Sequence, residues 1–246
     1  MHSLIKGKQT VKWSESMKQN IFRRFSTVGL CVAILLTVLI PSAALAETTA
    51  GEAALQITSQ TPEAQDVRTQ NETPQGLTFP VHVIHKTGDD KENFVIVIMA
   101  DGYTKEQQDQ FVQDATRKAQ EMLTWSPYKD YSDRINIYAL QVVSRESGIG
   151  TYGAERNPDT YFHVQVYGKA AQFTNGGTNK AKALRDELEK NYLDAGASVG
   201  TIHILSNASG NFGASISPLF SFSQNRSNED SNDSAMTHEV SHSIGR

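Results

Sequence analysis

Residues 94–107 read FVIVIMADGYTKEQ. The first seven are apolar without a break, and most are β-branched. A run that short with no polar alternation predicts a central strand buried on both faces. Asp101-Gly102 breaks it, and Thr104 then stands three residues before Gln107, the spacing of a capping box. Phe111, Ala115, Ala119, Met122 and Leu123 recur at helical spacing as far as Trp125. Asp101 has two readings. At a strand's C-terminal end it can line a cleft, or it forms the turn with Gly102. Tyr103 either donates to an oxyanion or packs.

The same alternation continues on both sides. FPVHVIHK, residues 79–86, predicts a strand, and TGDDKEN after it is a turn signal. RINIYALQVVS (134–144) and GTIHILSN (200–207) predict two more strands, and 161–167 a short or edge strand. Thr178 starts and Gly196 stops a second helix. ASGNFGASIS (208–217) reads as a glycine- and serine-rich loop, a substrate platform or a plain connection. PLFSFS (218–223) reads as an edge strand, where an extended peptide could add. A polar loop over 224–233 leads into a last helix starting near 231–234. Strands alternating with helices predict an α/β fold.

The chain has 246 residues and a formal charge of −4. Arg23 and Arg24 precede an apolar run over 28–40, then Pro41 and a small-residue stretch ending Ala44-Leu45-Ala46. That layout predicts a secretory signal over 1–46, cleaved after Ala46, with Met17 as an alternative start. The run is shorter than the about 20 residues of a membrane span, so no stable membrane anchor is expected. An anchored interaction protein is the reading if the signal stays attached. Residues 47–78 are rich in Thr, Gln, Glu and Ala and predict a disordered spacer. Residues 79–246 form the expected folded domain. Cys31 is the only cysteine and lies inside the apolar run, so a chain cut after Ala46 has no disulfide and no thiolate chemistry. The first 46 residues hold six of the 23 basic and one of the 27 acidic residues, leaving 17 and 26, a net of −9. That balance argues against a nucleic-acid partner.

The chain ends SAMTHEVSHSIGR, residues 234–246. On a helix, residues four apart lie one above the other. His238 and His242 then present two imidazoles on one face, able to converge on a zinc ion. Glu239 is placed to act as general base on a water that the metal acidifies. Gly245 follows His242 by three, as in H-E-x-x-H-x-x-G sites, where glycine ends the helix so that a third ligand can approach. The plain alternative is a surface helix that happens to carry this pattern. His203 and His163 read as strand or core histidines rather than ligands, and Glu229, Asp230 and Asp233 as solvated loop and cap residues.

A longer series of motifs is more specific. Asp101-Gly102-Tyr103-Thr104 follows a strand, Pro127-Tyr128 with Tyr131 follows the helix, and Asn136 leads through Ser144 to Glu146-Ser147-Gly148. HILSNASGNFG and HEVSHSIG complete the order. Over roughly residues 90–246 this resembles the bacterial IgA-peptidase family of zinc metallopeptidases, metallopeptidase family sixty-four. The resemblance implies a zincin-like, metzincin-type mixed β-sheet packed with helices, with the active-site helix at the C-terminus. It also implies one Zn2+ held by His238 and His242, Glu239 as catalytic base, and hydrolysis of peptide bonds in a protein substrate. Immunoglobulin A is the substrate the family name suggests. Family members continue after the glycine into a D-E-Y element, from which the third zinc ligand is expected. The chain is therefore expected to be a fragment of a secreted zinc endopeptidase, truncated after the second ligand. The alternative is a non-catalytic secreted module or an inactive pseudoenzyme.

Overall fold

The computed structural model describes residues 73–227 and 234–244. The signal peptide expected over 1–46, most of the spacer, Glu229, Asp230, Asp233, Gly245 and Arg246 lie outside the described residues.

The order of elements is β1 (Val81–His85), β2 (Phe94–Asp101), α1 (Gln108–Met122), β3 (Ile135–Leu140), β4 (Gly150–Thr151), β5 (Val164–Tyr167), β6 (Ala170–Phe173), α2 (Gly177–Asn191), β7 (Val199–Gly210), β8 (Gly213–Ser215), β9 (Phe220–Ser227) and α3 (Ala235–Ile244). Six strands form one sheet in the order β1-β3-β2-β7-β9-β8, and β4-β5-β6 form a second. In the larger sheet β3, β2, β7 and β9 run parallel. β1 and β8 close the two edges antiparallel. The fold is mixed α/β, with two sheets and three α-helices among the described residues.

β2 is the centre of the core. Val95 through Ala100 are fully buried, as an uninterrupted apolar run requires. Each such large side chain is worth roughly 1.5–3 kcal/mol of hydrophobic stabilisation. The capping box at Thr104 is formed, and a short 3-10 turn (Lys105–Gln107) leads into α1. That helix buries Phe111, Ala115, Ala119 and Met122 along one stripe. The predicted second helix ends at Asn191, five residues before Gly196. β3 ends at Leu140 rather than 144, because the chain leaves the sheet there and Ser144 N donates to Tyr103 O at 2.8 Å.

Two readings are corrected at the far side of the sheet. PLFSFS was expected at an edge, yet β9 is interior, between β7 and β8. The edge is β8, inside the stretch read as a loop. The alternation Phe220, Ser221, Phe222, Ser223 resembles a half-solvated strand, but all four residues are buried. The serines face a buried histidine, and the phenylalanines meet the second sheet, where the Phe173 ring packs edge-on at 4.7 Å from Phe222 and 5.2 Å from Phe220. The expected strand over 161–167 is β5, and it turns through Gly168-Lys169 into β6. Gly168 has φ +61, which suits the first central position of a two-residue hairpin loop.

Candidate functional site

α3 places the H-E-x-x-H residues. Met236 and Val240 are fully buried and hold the helix against the sheet at β8 and β9. His238 is exposed, while Glu239 and His242 are half-buried. The two imidazole Nε2 atoms stand 3.1 Å apart, with ring planes 86° from parallel and centroids 4.8 Å apart. Ser241 Oγ donates to His238 O at 2.6 Å, inside the helix. The buried Tyr128 hydroxyl donates to Thr237 O at 3.4 Å, so the Pro127-Tyr128 element backs the helix from outside it.

Glu239 lies against the edge strand. A Cβ built on Gly213 would come 2.5 Å from Glu239 Oε1 and 2.9 Å from its Cγ. Burial raises the pKa of the carboxyl, and the neighbouring His238 acts in the opposite direction. Beside it, β8 keeps part of its outer edge. Ile216 N bonds inward to Phe220 O, while Gly213 N bonds outward to Lys169 O at 3.0 Å. By antiparallel alternation, Ser215 N–H and C=O also point away from β9.

The donor set fits a small divalent metal. Two nitrogens bound at about 2.0–2.1 Å to one tetrahedral ion stand roughly 3.3–3.4 Å apart. The observed spacing is close to that edge length, and the pair reaches solvent. Among the described residues no group of three His, Cys, Asp or Glu forms a metal site, so two ligands are what this part of the chain provides.

The other sequence candidates serve the framework. Asp101 is fully buried at the end of β2. It accepts from Thr160 Oγ1 (3.1 Å), Phe162 N (2.9 Å) and Val164 N (3.2 Å). It thereby binds the segment leading into β5 to the main sheet. Burial pushes its pKa up to about 6, against those three donors and Lys180. Gly102 sits at φ +73 with Gly148 O 1.7 Å from where a Cβ would be. Ser144 Oγ accepts from Gly102 N and Tyr161 N, both at 3.0 Å. Glu146 Oε2 accepts from Asp159 N. The D-G-Y-T and S-x-E-S-G motifs therefore lock one loop onto the strand end. Tyr103 donates to Asp114 Oδ2 at 3.0 Å, and Asn225 Nδ2 donates to the same oxygen at 2.9 Å, so the tyrosine is a buried network member.

His203 is fully buried between Ser221 Oγ (2.9 Å) and Ser223 Oγ (2.8 Å). Burial drives its pKa down to about 3, helped by Lys118. It is a neutral core histidine with both ring nitrogens partnered. His163 lines a cavity of about 310 Å³ with Asp159, Gln165 and Asn175, and no residue of α3 lines it. Sequence reading missed Gly213 and the role of Tyr128 beneath the helix. A glycine beginning a short alternating stretch was the available signal for the first.

The family model described as IgA Peptidase M64 matches residues 82–246, from the first strand through the last helix. The chain belongs to the IgA peptidase M64 family. M64 peptidases are metallopeptidases, which act on protein or peptide substrates, and the two imidazoles of α3 lie inside the matched region. Comparison with the curated proteins gave no match. No helix among the described residues is long and apolar enough to cross a membrane.

Proposed function

We propose that the chain carries the catalytic region of a secreted, zinc-dependent endopeptidase of zincin type, with His238 and His242 as zinc ligands and Glu239 as general base. The observation that carries this reading is the pair of Nε2 atoms 3.1 Å apart beside a carboxylate lodged on the edge strand. Zinc supplies Lewis acidity, polarising a peptide carbonyl and acidifying a water. Glu239 would accept a proton from the water as its oxygen bonds to the peptide carbonyl carbon, and would deliver that proton to the amine nitrogen as the C–N bond breaks. Burial raises its pKa, which strengthens the carboxylate as a proton acceptor. His238 and His242 stand four apart on a helix anchored by Met236 and Val240, which keeps their Nε2 atoms close together.

The outer edge of β8 supports a peptide substrate. Ser215 offers one N–H and one C=O to an extended chain, while Gly213 N–H is held by Lys169 O. The mixed sheet, with α3 packed against β8 and β9, supports the zincin-type assignment. The basic, apolar and A-x-A layout of residues 1–46 supports secretion. The family's description supports immunoglobulin A as a candidate substrate. A second reading, a non-catalytic module, draws on one observation: among the described residues two ligands converge and no third joins them.

The test is cleavage of an unfolded protein substrate by the zinc-supplied chain and by Glu239→Gln. The proposal expects cleavage to fall at least ~100-fold in the variant, with zinc content unchanged. Undiminished cleavage by the variant, or a folded wild-type chain that neither binds zinc nor cleaves, would overturn it.

A further inference from the structure

Gly213 sits where β8 begins, and its place is defined by what surrounds it. A Cβ there would lie 2.5 Å from Glu239 Oε1, 2.9 Å from Cγ and 3.0 Å from Cδ. Separations under 3.0 Å are not tolerated between carbon and these atoms, so a side chain at 213 and the observed Glu239 exclude each other. The backbone does not explain the glycine, since Gly213 is not among the positive-φ residues. Two residues along on the same face, Ser215 carries a side chain without such a conflict.

Neither backbone can retreat easily. Gly213 is paired with Ser223 on one side, and its N–H donates to Lys169 O at 3.0 Å on the other. α3 is fixed by the fully buried Met236 and Val240. The Glu239 side chain is the mobile partner, and a methyl group at 213 would move it as far as its Cγ, beyond a change in the terminal oxygens alone.

We propose that Gly213 is a positioning residue for Glu239: the missing side chain leaves the space at the edge strand that the Glu239 carboxylate and its Cγ occupy. This rests on the peptidase reading for its functional meaning. Its structural content, a steric exclusion between position 213 and Glu239, stands independently. Displacing a reacting group by an ångström can cost on the order of 100-fold in rate.

The experiment combines steady-state kinetics, zinc content and thermal unfolding on the full chain, with Gly213→Ala, Glu239→Ala and the double variant. The expected result has two parts. Gly213→Ala lowers kcat at least tenfold, with KM within twofold and zinc content unchanged. Gly213→Ala also lowers Tm when Glu239 is present, and leaves Tm equal or higher in the Glu239→Ala background, where the conflict is gone. If Gly213→Ala alone fails to fold, recovery of folding in the double variant supports the same exclusion. A kcat within twofold of wild type, or an equal Tm effect in both backgrounds, overturns the proposal. If the wild-type chain cleaves no peptide, the peptidase reading fails and the Tm comparison alone decides whether Gly213 sets the place of Glu239.

Discussion

Replacing Asp101 with asparagine keeps the shape of the side chain and removes its titration. In the native protein the carboxyl has a pKa of about 6 rather than the ordinary 3.8. The native state therefore retains a proton that the unfolded chain releases, and stability falls as pH rises between those values. The full difference corresponds to about 3 kcal/mol, at 1.36 kcal/mol for each pKa unit. About 1 kcal/mol of it is already lost at pH 4.5, and about 2 kcal/mol more is lost between pH 4.5 and pH 8. Asp101→Asn has no such dependence. It also replaces one accepting oxygen with an amide N–H₂, which faces either Phe162 N–H or the Thr160 and Val164 donors, so it destabilises through a poorly paired buried donor at either pH. The destabilisation relative to wild type should then be about 2 kcal/mol larger at pH 4.5 than at pH 8. Urea unfolding of both proteins at the two pH values measures this directly, and other titrating groups cancel in the difference. An equal effect at both pH values, or a larger one at pH 8, would refute the reasoning. It would mean that the three donors outweigh burial and keep Asp101 ionised.

Three further outcomes follow from the same framework. Gly102→Ala should cost more than about 3 kcal/mol or prevent folding, because φ is +73 and the added carbon would meet Gly148 O at 1.7 Å; circular dichroism and urea unfolding check it. His203→Ala should lose about 2–4 kcal/mol by opening a cavity and leaving Ser221 and Ser223 without their partner, while zinc bound per folded molecule stays the same. The native pKa of His203 is about 3 against an ordinary 6.5, so the wild type should lose stability as pH falls from 6.5 toward 3, and the variant should show a shallower acid limb. Tyr103→Phe should cost about 1 kcal/mol, since Asn225 and Gln110 still donate to Asp114; a urea midpoint shift without loss of peptide cleavage would confirm a structural role.

The elements with a single dominant cause were legible in the sequence. β2 is an apolar run because both faces are covered, and α1 shows its buried stripe at helical spacing. The pairing of His238 with His242 is a property of one helix and needs no distant partner. The far side of the sheet was harder because its polarity pattern misleads. Serines 221 and 223 alternate with phenylalanines as on a solvated strand, yet they are buried against His203, whose place in the fold no local spacing reveals. The hairpin at Gly168 was missed because β5 and β6 are only four residues each. Asp101 and Gly213 show the deeper limit. The partners of Asp101 lie some sixty residues on, and Gly213 is explained by a carboxylate on a different element. A close approach in space leaves no periodic mark on the chain.

The central claim is that His238 and His242 together hold a metal ion beside Glu239. Zinc titration of the purified chain, with bound metal read by elemental analysis, tests it most directly. The account predicts one zinc per wild-type molecule, loss of that zinc in His238→Ala and in His242→Ala, and retention in Glu239→Gln. Zinc retained by both histidine variants, or none bound by a folded wild-type chain, would contradict it.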